Sequence, residues 1–96
     1  MITKVSEITT KDIADFIRLG EIDNAEETQL STFLTIAKDY IKNYTGVDDL
    51  DEYADFVIVV YILCQDMYDN RSMYIDKGNI NKVVQTILDM HTRNNL

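Results

Sequence analysis

The side chains able to do chemistry are few. The 96-residue chain holds one histidine, His91, and one cysteine, Cys64, beside 17 aspartates and glutamates. One His and one Cys cannot complete the four-ligand set of a structural zinc site within one chain. Cys64 has no partner for an internal disulfide. It stands inside an apolar run, where a thiol behaves as a small hydrophobe; a reactive thiol needs an exposed, electropositive setting. The carboxylates concentrate at Asp48, Asp49, Asp51, Glu52 and Asp55. A calcium loop would space them as D-x-[DN]-x-[DN]-G with a late Glu, and that spacing is absent. There is no Gly-rich phosphate loop, no G-x-S-x-G and no H-E-x-x-H. Catalysis needs a nucleophile with a base, or an acid–base pair converging in a cleft. The sequence brings no such groups together, so the expectation is a protein without catalytic, metal or cofactor sites. Asp48, Asp49, Asp51 and Glu52 read as helix caps and an acidic solvent face. His91, one turn after Ile87 and Leu88, reads as an edge of the core or of an interface.

The charge balance narrows the partners. The net charge is -8 and the pI about 4.3. Gripping phosphate backbones needs a dense Lys/Arg footprint, and Arg18, Arg71 and Arg93 are scattered singly. Lys38 and Lys42 are interrupted by Asp39, which suits a surface face better than a recognition helix. An anionic membrane surface is equally disfavoured. The longest apolar run, Phe56 to Cys64, is too short for a span, which takes about 20 residues. Met1 to Thr10 shows no apolar core of a signal peptide. An acidic wall would repel DNA, which fits a conduit better than a binding groove. Six tyrosines on so small a chain favour half-buried faces, since the ring is apolar and its tip polar.

These side chains must be carried by helices. The chain has no proline and only three glycines, so breakers are scarce. One domain, residues 1–96, is expected, with one modest core burying roughly 60–65% of the unfolded surface. Thr9 is placed to cap a first helix, with Asp12 at its third position, Ile8 and Ile13 as a staple, and Ile13, Phe16 and Ile17 as its buried stripe. Gly20 is the expected stop. Asp23 or Asn24, each followed three residues on by Glu, opens a second helix. Leu30, Phe33, Leu34, Ala37, Ile41 and Tyr44 keep one face, and Gly46 closes it. Asp49 or Asp51 is the expected cap of the third helix. The run Phe56-Val-Ile-Val-Val-Tyr-Ile-Leu-Cys64 is rich in β-branched residues, which suit a strand. Helical spacing nevertheless continues from Tyr53 to Tyr68, and no turn signal interrupts it, so this is the central, nearly all-round buried helix. Residues 70–79 break the pattern as a loop or short arm with an apolar tip, Met73-Tyr74-Ile75. Such a tip needs a surface to bury it. The last helix spans about Ile80 to His91, capped by Asn79 or Asn81, with Ile80, Val83, Val84, Ile87 and Leu88 as its stripe. The fold class is all-α: a small bundle of about four helices.

Two phrases add a resemblance. Ala37-Lys-Asp-Tyr40-Ile41-Lys-Asn-Tyr44-Thr45-Gly46 ends the long helix, and Tyr68-Asp69-Asn70-Arg71 ends the apolar one. With the final segment Asn81 to His91, their order and spacing resemble the head–tail connector (adaptor-ring) proteins of tailed bacteriophages, notably shortened members from phages of low-GC Gram-positive hosts. The resemblance spans residues 3 to 91. No proline stands before the last helix, where many members carry a proline-rich or longer loop.

The resemblance implies an all-α structural protein of a virion or prophage, assembled in the bacterial cytoplasm and located at the virion neck. It would form a ring of about a dozen copies, each with two different complementary surfaces. Its partners would be further copies of itself, the portal protein and a tail-side completion protein. DNA would pass through the ring without sequence-specific binding. Tyr44, Tyr68, Arg71, Met73, Tyr74, Ile75 and His91 would be candidate subunit or portal contacts, and Asp48, Asp49, Asp51 and Glu52 the acidic channel or solvent face. Arg71 is also placed to cap the third helix. The same charge, without the resemblance, fits a different class: a small acidic regulatory or antitoxin-like protein that binds a basic partner. That reading predicts a monomer or dimer with strongly salt-dependent binding.

Overall fold

The computed structural model describes residues 2–72, 74–75, 78 and 80–92. Among these residues four helices follow one another: α1, Thr10–Ile17; α2, Asn24–Thr45; α3, Asp55–Asn70; and α4, Lys82–Met90. Short 3-10 turns at Val5–Glu7 and Leu50–Glu52 precede α1 and α3. No strand occurs among the described residues. The protein is an all-α bundle, as its periodicity requires.

The helix starts form where the cap chemistry puts them. At α1 the Asp12 N–H donates to Thr9 Oγ1 at 3.2 Å, and the Thr9 N–H donates to Asp12 Oδ2 at 2.8 Å. At α2 Asp23 and Glu26 form the same reciprocal pair. Each box satisfies donors that the first helical turn leaves without a partner. At α4 the Asn81 Oδ1 accepts from the Val83 N–H at 2.7 Å and from the Val84 N–H at 3.4 Å. Asn79 lies outside the described residues.

Two expected boundaries move. Gly20 does not end α1: Arg18 does, in the left-handed conformation at φ 67°. Its N–H bonds to the Asp15 carbonyl and the Leu19 N–H to the Ala14 carbonyl, the double closure of a Schellman motif. Reversing the chain there lets Leu19 pack against the core. Gly20, at φ 70°, serves the connection beyond. The third helix is not capped by Asp49 or Asp51. Asp49 accepts from the Asp51 N–H at 3.0 Å and so caps the Leu50–Glu52 turn. A cap reaches only two or three residues along the chain, and α3 begins beyond that reach, with no side-chain cap at Ala54. Gly46 ends α2 as expected, at φ 74°, with its N–H on the Lys42 carbonyl.

One continuous core results. Helix α2 contributes Leu30, Phe33, Ala37 and Ile41; α3 contributes Phe56, Val57, Val59, Val60, Leu63, Cys64 and Met67. The α2–α3 pairing is the most extensive in the molecule. α3 is central as its composition requires, although Ile58 reaches 38% exposure. On α1 the buried pair is Ile13 and Ala14, while Phe16 and Ile17 are only half-buried. Phe16 stacks on Tyr61 of α3 at 4.9 Å between ring centroids. On α4 Val84 and Leu88 point inward. Val83, one helical step round from Val84, is 53% exposed and leaves the expected stripe.

Candidate functional site

The candidate residues fall into three places. The first is the seam where α4 lies on α2 and α3. His91 follows the last turn of α4, and its Nε2 lies 2.9 Å from Oδ2 of Asp55, in the first turn of α3. The imidazole stacks on Tyr53 at 3.9 Å between centroids and meets the edge of Phe56 at 5.3 Å. Ile80, just before the start of α4, shares a cleft with Leu63 and Met67 farther along α3, so the two helices run antiparallel. That arrangement explains the pair: antiparallel packing brings the N-terminal end of α3, where a carboxylate is favoured, beside the C-terminal end of α4. The hydrogen bond to His91 is the main reason the Asp55 carboxyl lies below its ordinary value of 3.8; partial burial opposes the shift.

Tyr44 lies on the same seam. Its hydroxyl donates to Asp89 of α4. That hydrogen bond, then burial, pushes the phenol up to about 12. Tyr40 packs beside it at 5.8 Å between centroids. Tyr44 and His91 are therefore brought together along α4, as internal ties.

The second place is the far end of α3. Arg71 does close this helix, but with its backbone: at φ 53° its N–H bonds to the Met67 and Tyr68 carbonyls, and the Ser72 N–H bonds to the Met67 carbonyl. Its guanidinium instead lies 5.0 Å from the Tyr68 ring centroid, a cation–π contact. Beyond it, Tyr74 is 67% exposed and Ile75 packs against the core. The expected apolar tip is thus divided, one residue outward and one inward; Met73 lies outside the described residues. A cleft of about 460 Å³ runs between this segment and α3, lined by Leu63, Asp66, Met67, Asn70, Ser72, Tyr74, Ile75 and Ile80. Burial, and then the neighbouring Asp69, raise the Asp66 carboxyl.

The third place is the acidic connection. Asp48, Asp49 and Glu52 are exposed. Asp51 departs from them. Its carboxylate accepts from the Ser6 N–H at 2.9 Å and the Ser6 hydroxyl at 2.6 Å, clamping the N-terminal 3-10 turn to the one before α3. Those two bonds lower its pKa.

The described residues bring together no catalytic constellation. A His–Asp pair needs a nucleophile, and Cys64 is fully buried, its thiol pushed by burial to about 12. Among the described residues no three His, Cys, Asp or Glu side chains converge as metal ligands, and no helix is long and apolar enough to cross a membrane. The partners Asp55, Tyr53, Asp89 and Ser6 were not legible as contacts, because each pairs across a large sequence separation. The signal available for Asp55 and His91 was their placement at opposite helix ends.

Comparison with known protein families, curated proteins and solved structures returns no match to the chain.

Proposed function

We propose that the protein is a non-catalytic adaptor of a phage or prophage neck, assembling as a ring between portal and tail through which DNA passes unbound. The observation that carries this reading is the pair of connector-like phrases, Ala37 to Gly46 and Tyr68 to Arg71, each of which closes a helix: Gly46 and Arg71 are both left-handed end residues. The phrases therefore coincide with chain reversals of a four-helix body, which gives them a structural reason beyond composition. The net charge of -8 supports a wall along which DNA slides. Exposed side chains suited to further copies or to a portal are Tyr74, Val83 and Met90, the last 64% exposed.

Light scattering across a concentration series, with and without a cognate portal protein, tests the proposal. A species of about a dozen subunits, or assembly triggered by the portal, is the expected result. A monomer or dimer that ignores the portal overturns it. Salt-sensitive capture of a basic protein by that monomer or dimer would then favour the regulatory, antitoxin-like reading.

A further inference from the structure

Helix α4 is attached differently from α2 and α3. Val84 and Leu88 are its only fully buried side chains, against five such residues on α2 and seven on α3. Its cap at Asn81 is local, made to its own first turn. Among the described residues, the side-chain hydrogen bonds that tie it to the other helices lie at its C-terminal end: Asp89 to Tyr44 of α2, and His91, just past the last turn, to Asp55 of α3. At that same end Tyr53 and Phe56 hold the imidazole by stacking and edge contact. The connection before α4, residues 71–81, contains no α-helix among its described residues.

We infer that α4 is a strap latched at its C-terminal end by the His91–Asp55 contact, and that it opens as a unit from a body built on α2 and α3 that stays folded. Cooperative units with few buried apolar contacts occupy the low-stability end of a protein's opening spectrum. α4 fits that description and α2 and α3 do not. Opening would bare Val84 and Leu88 together with the aromatic seat of His91.

Native-state hydrogen exchange on the full chain tests the strap. In the unaltered protein the interior amides of α4 should share one opening rate, faster than those of α2 and α3. His91→Ala should accelerate the α4 amides by about tenfold, the loss of a hydrogen bond to a charged group, and leave α2 and α3 unchanged. Asp55→Asn keeps the shape and an acceptor, and should accelerate the same amides by about threefold. Should His91→Ala fail to fold, the Asp55→Asn comparison decides. If α4 exchanges as slowly as the core of α3, or if either variant accelerates all three helices together, α4 is part of the global unit and the strap is refuted.

Discussion

Thr45 is the one buried polar residue among those described, and its hydroxyl serves both sides of the α2 terminus. It donates to the Ile41 carbonyl at 2.7 Å and accepts from the Val47 N–H at 3.1 Å. Val47 is itself fully buried, so its N–H has no route to water. Replacing Thr45 by Val keeps the shape and removes the acceptor. An orphaned buried N–H costs about 1–3 kcal/mol, and the extra methyl returns only a fraction of that. Thr45→Val should therefore destabilise by about 2 kcal/mol. Thr45→Ser keeps both hydrogen bonds and loses one buried methyl, at about 1 kcal/mol. Urea unfolding followed by circular dichroism separates the two. With a slope near 1 kcal/mol per molar for a chain this size, the midpoint should fall by about 2 M for the valine variant and about 1 M for the serine variant. A valine variant as stable as the serine one would refute the reasoning, because packing would then outweigh the hydroxyl bridge. The outcome also bears on the Tyr-Thr-Gly phrase: it would give the threonine a folding role that needs no partner.

Three further outcomes follow from the geometry. Arg18→Gly and Arg71→Gly each relieve a left-handed non-glycine residue; after the added chain entropy of glycine, each should stabilise by about 0.5 kcal/mol in the same unfolding assay, with Arg71→Gly gaining less because it loses the contact over Tyr68. Tyr44 is raised from 10.0 to about 12 in the folded protein, so its contribution is fully present below pH 10 and is lost as pH rises towards 12; ultraviolet titration should show the latest phenol returning towards the ordinary range in Asp89→Asn. Cys64, buried and held at about 12, should resist a thiol reagent at neutral pH and react promptly in urea, while fast reaction of the folded protein would contradict its burial.

The sequence by itself determined the helical class, the N-terminal caps of α1, α2 and α4, and the central place of the apolar helix. These are local or periodic properties. A Thr-x-x-Asp or Asp-x-x-Glu box satisfies its own backbone within one turn, and a run without polar relief along any face has to be surrounded. What it left open was decided by packing. Gly20 looked like the stop of α1, yet the chain reverses at Arg18 because Leu19 gains a place on the core. Asp51 looked like part of a solvent face, yet it clamps Ser6, far behind it in the chain. His91 was recognisable as an edge residue. That its partner is Asp55, with Tyr53 and Phe56 around the ring, follows only from the antiparallel approach of α4 to α3. Local hydrogen bonds and hydrophobic period are written in neighbouring residues; the meeting of two helix ends depends on how the whole core closes, and only the tertiary structure supplies that.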